Sequence, residues 1–215
     1  LRLYLIRSRC YNYVISQQDT FLISKVYRLA EQKETSGTYS NVTETSKTFY
    51  EDDQISIKLT EYREEDTTIY VADVVLSSPE YLKTAFAKNS YGKNVTEKTS
   101  EIAAEKNAIL AINGDYYGAQ EKGYVLRNGN LYRNEAEEGQ EDLVIYQDGK
   151  FGIISEEDIT AEELLEQGAQ EILSFGPALI QDGAISVTEE EEVGKAMASN
   201  PRTAIGIIDD FIMCL

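Results

Sequence analysis

Short apolar segments punctuated by tight-turn signals constrain this chain more than any other feature. Tyr124-Val125-Leu126-Arg127 and Leu131-Tyr132 flank Asn128-Gly129, and Leu143 to Tyr146 and Phe151 to Ile154 flank Gln147-Asp148-Gly149-Lys150. A third turn falls at Gln181-Asp182-Gly183. Asn-Gly and Asp-Gly enter the left-handed backbone that tight hairpins need, so each signal predicts a pair of antiparallel strands. More strands are read around them. Ile55, Ile57 and Leu59 alternate with Ser56, Lys58 and Thr60, and TTIYVADVVL (67 to 76) follows an acidic turn at Glu61 to Asp66. Ala108 to Ile112 is wholly apolar between Asn107 and Asn113-Gly114, which predicts a central strand. Ile172 to Phe175 reads as another strand, and TAIGIIDDFIMCL (203 to 215) as strand, Asp-Asp turn, strand.

Helical signals are fewer. Phe21, Leu22, Val26 and Leu29 give residues 14–34 a helical spacing. Ser78-Pro79-Glu80 reads as an N-cap, a proline at the first position and an acidic first turn, predicting a helix through Leu82, Ala85 and Phe86 to Asn89. A further helix is expected from Thr99 to Lys106, with Ile102 on its apolar side. Thr160 and Glu163 form a capping box behind Ile159, with Gly168 as the terminating residue. Strands dominate, so the expected class is α+β: mixed and antiparallel β-sheet with several hairpins, flanked by two to four helices. Residues 1–53 read as an N-terminal helix and linker region, and residues 54–215 as the compact domain.

Charge narrows the function. Lys and Arg number 20 against 38 Asp and Glu, a formal net charge of −18, which excludes a nucleic-acid binder dependent on a basic footprint. The absence of His removes Ser-His-Asp and Cys-His catalysis and His-based zinc sites. Cys10 and Cys214 stand at opposite ends, so no CxxC pair or four-cysteine metal set exists. They read as two buried thiols or as a pair. The sequons Asn41-Val42-Thr43 and Asn94-Val95-Thr96 carry little weight in a chain so rich in Asn and Thr. No apolar run approaches the roughly 18 residues that a membrane helix requires. Hydrophobic residues make up 42%, enough for a core. What chemistry remains must run on carboxylates, amides, hydroxyls, Arg, Lys and backbone groups.

Three constellations could carry it. In AINGDYYG (111 to 118) a buried strand delivers Asn113 and Asp115 at its exit, with Gly114 permitting a bend between them. Asp115 is a candidate acid, base or metal ligand, Asn113 a candidate for a sugar hydroxyl or phosphate oxygen, and Tyr116 and Tyr117 a stacking wall. The same segment also reads as an ordinary strand-to-turn transition. In Ser174-Phe175-Gly176-Pro177-Ala178, a glycine after a strand offers backbone N–H groups to an anion, or simply makes a tight turn. In Asn200-Pro201-Arg202-Thr203-Ala204, Arg202 stands at the mouth of an apolar strand, suited to a phosphate or carboxylate, or to a structural ion pair.

Taken together and in order, AINGDYYG, the Arg127-Asn128-Gly129 hairpin, SFGPALIQDGAI (174 to 185) and PRTAIGI (201 to 207) closely resemble the phosphodiester glycosidase family. Its known member activity uncovers mannose 6-phosphate by removing N-acetylglucosamine from its phosphodiester. The resemblance covers roughly residues 54–210. It implies a mixed α+β core and hydrolysis of a sugar 1-phosphodiester. Asn113, Gly114 and Asp115 match the family's NG-(G/D) segment, Gly176 and Pro177 its glycine-rich turn, and Arg202 and Thr203 its RTAIG segment. The family continues with an Asp-Gly-Arg motif and an Asn-Leu-Asp-Gly-Gly-Gly-Ser segment, whereas this chain reaches FIMCL before both. The expectation is therefore a piece of the domain, also suggested by the leading leucine and the apolar end.

The resemblance implies a hydrolase that acts on extracellular or cell-envelope glycans, secreted or surface-attached and bacterial. Asp115 and Arg202 are its expected catalytic residues. Asn113, Gly114, Tyr116, Ser174, Gly176 and Thr203 are its expected substrate-binding residues. A divalent cation such as Ca²⁺ on Asp115 and acids outside this sequence is an open expectation. The partner is a glycan or sugar phosphate. A noncatalytic glycan- or envelope-binding module, or a structural domain of a surface protein, is the alternative.

Overall fold

Leu143, Val144 and Ile145 are consecutive and all buried, which a strand with one solvated face does not allow. Side chains alternate along a strand, and here the alternation divides them between two cores. Leu143 and Ile145 join Ile55, Ile57, Val74, Ile205 and Ile207 on one side. Val144 joins Leu164, Ala169 and Ile172 on the other. The strand thus lies inside the molecule, with a sheet against one face and a helix against the other.

The computed structural model describes residues 2–9, 16–17, 19–24, 44–45, 48–64, 67–174, 177–187, 202–208 and 212–213. The largest sheet has nine strands. In spatial order they are Ala184–Ile185, Ile180–Gln181, Ile212–Met213, Arg202–Ile208, Arg2–Arg9, Thr67–Leu76, Ile55–Glu64, Phe49–Glu51 and Glu44–Thr45. A five-stranded sheet runs Asn130–Arg133, Val125–Arg127, Ala169–Leu173, Glu141–Tyr146, Phe151–Ser155. A three-stranded sheet runs Ala108–Asn113, Asp19–Ser24, Leu82–Phe86, and Ser16–Gln17 pairs with Glu97–Lys98. The helices Thr99–Glu105 and Ala161–Glu166 flank these sheets, which makes the fold α+β, as the hairpin signals predict. The described pairings are antiparallel.

The turn chemistry works as read. Asn128 and Gly129 have φ of 49° and 73°, and Asp182 and Gly183 of 51° and 74°, the double positive φ of a type I′ hairpin. Thr160 accepts from the Glu163 N–H while the Glu163 side chain accepts from the Thr160 N–H, completing the capping box. Gly168 ends that helix at φ 95°. The 67-to-76 strand pairs with Ile55–Glu64 up to Glu64 and Thr67, so the acidic turn is shorter than expected. Ile212 and Met213 fold back on Ile207 and Gly206, as the strand–turn–strand reading requires.

Three expectations change. Within 14–34, Asp19–Ser24 is a strand held between Ala108–Asn113 and Leu82–Phe86; residues 25–34 lie outside the described residues. Six residues in that run suit either period, and two neighbouring strands with open ladders decide it. Ser78 does cap, accepting from the Glu80 N–H, but only one 3-10 turn, Pro79–Tyr81, forms before the strand Leu82–Phe86. Leu82 and Thr84 both point inward at period 2, which a helix would break. Ala108–Asn113 is half-buried along its whole length and sits at the edge of its sheet among the described residues, not in the centre. Its apolar run is covered by the helix Thr99–Glu105, whose Ile102 anchors a small core with Ala87, Ala108 and Ala111. Among the described residues no helix is long and apolar enough to cross a membrane. Cys10 and Cys214 lie outside the described residues.

Candidate functional site

The strand Ala108–Asn113 ends on a side chain that reaches another sheet. Asn113 Oδ1 accepts a 2.6 Å hydrogen bond from the Thr203 hydroxyl, near the start of the strand Arg202–Ile208. Two residues on, Asp115 does the same for a third segment. Its Oδ2 accepts from the Ser174 N–H at 3.0 Å, just beyond the strand Ala169–Leu173. Its Oδ1 accepts from the Tyr117 N–H at 3.2 Å, which curls the chain into the 3-10 turn Tyr117–Ala119. The three segments singled out by sequence therefore meet at one place, through side chains of the first.

Their exposures differ. Asp115 and Ser174 are buried, Asn113, Gly114 and Thr203 half-buried, and Arg202 and Tyr116 exposed. Tyr116, at 54% exposure, turns outward while Tyr117 turns in. Ser174 was expected to offer its N–H to an anion, but that N–H is engaged by Asp115 and its hydroxyl donates to the Tyr124 carbonyl at 3.2 Å. Gly176 lies outside the described residues. Gly114 is not among the glycines of positive φ; the special backbone falls at Gly123, with φ 92°. A Cβ there would meet Glu156 Oε1 at 3.4 Å and Ser174 Oγ at 3.5 Å, ordinary contacts, so it is the left-handed backbone and not crowding that calls for glycine.

The residue that sequence reasoning missed is Arg127. Its Nη2 donates to Asp115 Oδ2 at 2.8 Å, with both side chains essentially sealed from solvent. Nη1 donates to the Leu126 carbonyl at 3.0 Å and to that of Ile172, and the guanidinium lies 5.8 Å from the Tyr117 ring centroid. In the sequence Arg127 reads as the flank of a hairpin. The available signal was period: Val125 and Arg127 share a face of a strand whose residues are all buried, so the arginine had to meet a carboxylate inside. Nothing in the sequence names which of the 38 acids that is.

Beside this pair lies a second acidic arrangement of opposite character. Glu156 Oε1 accepts from the Tyr124 N–H at 2.7 Å and Oε2 from the Glu137 N–H at 2.6 Å, so each of its oxygens holds a backbone donor. Asp142 is equally buried, yet neither of its oxygens has a donor among the described residues. Burial first, then the adjacent Glu156, raises the Asp142 carboxyl to about 9; the Ser174 side chain opposes this and Asp115 adds to it. Asp142 is thus a neutral acid at pH 7. Glu171 accepts from the Thr84 hydroxyl at 2.7 Å, and its burial raises it to about 7, against the pull of Thr84 and Arg127.

Among the described residues, no three acidic or cysteine side chains are grouped to hold a metal ion. Asp115 turns its oxygens toward a guanidinium and two N–H groups. A Ca²⁺ ion needs those lone pairs for itself, so the described donor set does not fit the cation considered from sequence. Around this junction Asn113 and Thr203 are half-buried and Arg202 and Tyr116 exposed, whereas Asp115, Arg127 and Ser174 are buried beneath the surface.

Known proteins provide an independent comparison. The chain is 24% identical over 121 residues to the SPbeta prophage-derived uncharacterized protein YomE of Bacillus subtilis (strain 168). That alignment covers 54% of this chain and 19% of the relative, so the chain spans about a fifth of that protein's length. No solved structure matches it. The phosphodiester glycosidase family matches residues 106–214, a stretch that holds Asn113, Asp115, Arg127, Ser174, Arg202 and Thr203. With that match over half of its length and its three motif segments hydrogen-bonded to one another, the chain belongs to the phosphodiester glycosidase family.

Proposed function

We propose that the protein, in its full length, hydrolyses the bond between an anomeric carbon and phosphate in a sugar 1-phosphodiester of an extracellular or cell-envelope glycan. The observation that carries this reading is the convergence of Asn113 on Thr203 and of Asp115 on Ser174, within the family match. Water adds to the anomeric carbon as the carbon–oxygen bond to phosphate breaks; the phosphomonoester leaves with that bond's electron pair, and the proton that water loses passes to the departing phosphate or to solvent. Arg202 holds that phosphate and offsets the charge that grows on it, while the Thr203 hydroxyl, whose proton Asn113 Oδ1 accepts, steadies the Asn113 amide at the edge of the sugar's place. Asn113, the Gly114 backbone and Tyr116 orient the sugar.

In this reading Asp115 acts as a positioning residue and not as the general base. A base needs access to water, and this carboxylate is sealed and engaged by Arg127. It fixes the angle between the Asn113 exit and the Ser174 turn. A bacterial, surface-exposed setting is part of the same proposal; its support is the family resemblance, and export of a tagged full-length protein tests it.

The assay is turnover of a sugar 1-phosphodiester by the full-length protein. Arg202→Ala is expected to lower kcat by about 10²- to 10³-fold, the scale of losing one group that stabilises transition-state charge. Asp115→Asn is expected to lower kcat while broadening the thermal transition. Undiminished turnover in both variants sinks the assignment. One observation favours a second reading: the carboxylate nearest the site is buried, whereas Tyr116 is open to solvent. A noncatalytic glycan-binding module fits that contrast, and saturable binding without hydrolysis by the full-length protein selects it.

A further inference from the structure

Four aromatic rings from separate parts of the chain meet beside the site. Phe86 ends the strand Leu82–Phe86, Tyr91 follows in the next loop, Tyr117 opens the turn after Asp115, and Tyr132 belongs to the strand Asn130–Arg133. Tyr91 stacks on Tyr117 with ring centroids 5.2 Å apart and an interplanar angle of 16°. Tyr132 lies 5.1 Å from Tyr91, and Phe86 packs edge-on to Tyr132 at 4.9 Å and to Tyr117 at 5.4 Å. The inner ring, Tyr117, is buried, whereas Tyr91 and Tyr132 remain 37% and 42% exposed. Phe86 and Tyr117 thus act as a fixed backing that holds two tyrosine rings at the surface. Tyr116, more exposed still, comes from the same turn.

Such rings are held without the rotamer loss that a mobile side chain incurs on binding. Their faces carry partial negative charge and attract polarised C–H groups or cations, while their hydroxyls reach polar neighbours. The local charge selects among ligands. Two cations next to the rings in sequence are engaged: Lys93 pairs with Glu121, and Arg133 donates to the carbonyls of Gly123, Tyr117 and Gln120. A stacked nucleobase brings phosphates and needs a basic groove, which a chain of net charge −18 does not supply. A neutral pyranose fits, because its C–H face meets the ring and its hydroxyls face water.

We infer that Tyr91 and Tyr132, continued by Tyr116, form a stacking subsite for a neutral sugar unit of the glycan, next to the Asn113–Asp115 exit. Continuity argues for the same ligand at both places. Tyr117 donates its N–H to Asp115 and carries the Arg127 guanidinium near its ring, so the backing of the platform is tied to the buried Asp115–Arg127 pair. This inference rests on the glycan reading above, but not on hydrolysis.

The test uses neutral tetrasaccharides, tetra-N-acetylchitotetraose and maltotetraose, titrated into the full-length protein and followed by calorimetry and saturation-transfer NMR. At least one is expected to bind, with saturation strongest on ring protons of the sugar. Tyr91→Ala and Tyr132→Ala are each expected to weaken binding by about tenfold, the scale of losing one stacking ring. Tyr91→Phe and Tyr132→Phe keep the face and are expected to retain it. Tyr116→Ala, at the most exposed ring, guards against misfolding of the other variants and is expected to give a smaller loss. Three results overturn the inference: no binding of either sugar, unchanged affinity in the Tyr91→Ala/Tyr132→Ala double variant, or concentration-dependent self-association that the double variant abolishes. A protein that binds tetrasaccharide here yet leaves a sugar 1-phosphodiester intact keeps the subsite and loses the hydrolase reading, so the two failures are separable.

Discussion

Asp115 and Asp142 are both 1% exposed, lie in the same part of the fold, and solve the burial of a carboxylate in opposite ways. Asp115 is paired with the Arg127 guanidinium, and the Ser174 and Tyr117 N–H groups complete the donors around it. Asp142 faces Glu156, which already holds two backbone N–H groups, so Asp142 keeps a proton instead. The difference follows from what the neighbouring strands carry inward. Val125–Arg127 brings a guanidinium to the first; the turn after Phe151–Ser155 brings a second carboxyl to the other. Ionic burial gives a directional clamp, while protonated burial makes the fold depend on pH.

The largest expected effect breaks the clamp. Arg127→Met should destabilise the domain by about 3–5 kcal/mol, because it leaves a buried carboxylate without its counter-charge. Adding Asp115→Leu to it should recover part of that loss, since an apolar pair needs no desolvation of charge. Urea denaturation measures both. A cost under about 1 kcal/mol for the single variant removes the clamp from the comparison.

The proton-holding side is tested by pH. A carboxyl raised to about 9 in the folded protein holds a proton that the unfolded chain, near the usual value of roughly 4, has released. By linkage, unfolding then releases that proton, so stability is greatest below the unfolded value and falls as pH rises toward the folded one. The slope from one such proton is about 1.4 kcal/mol per pH unit. Asp142→Asn, which can donate to Glu156 at every pH, should flatten the decline in thermal midpoint between pH 7 and 9. A profile unchanged by this variant contradicts a protonated Asp142.

Glu171 sharpens the same contrast more gently. Raised to about 7, it contributes a decline that ends near neutrality. Glu171→Gln should therefore alter the slope below pH 7 and leave the alkaline limb to Asp142. Exchange of the two windows would reverse their assignment. The smallest effect lies at the half-buried Asn113–Thr203 contact. Thr203→Val removes the hydroxyl bonded to Asn113 and should cost about 1 kcal/mol, the ordinary worth of one hydrogen bond. A cost as large as that of Arg127→Met would mean that the junction of the two sheets, and not the ion pair, holds the site together.

Much of this architecture was legible from local chemistry. Asn128-Gly129, Asp182-Gly183, the Thr160–Glu163 box and Gly168 act through bonds within a few residues, so their effect can be read from the segment alone. The helical spacing at 14–34 and the cap at Ser78 misled for one reason. Local propensity is worth a fraction of a kcal/mol per residue, and Asp19–Ser24 and Leu82–Phe86 complete each other's ladders. The site divides likewise. Asn113, Asp115, Ser174, Arg202 and Thr203 stand out as residue types at strand ends, and their segments do meet.

By itself, then, the sequence determined the hairpins, the α+β class, the exclusion of His-based and basic-groove chemistry, and the segments that build the site. Tertiary structure alone decided the partners. Arg127 finds Asp115, Glu156 finds Asp142, and Phe86, Tyr91, Tyr117 and Tyr132 find one another across long stretches of chain. Each of these contacts depends on which strands lie side by side. That choice comes from the summed burial of two cores, a quantity no single segment carries.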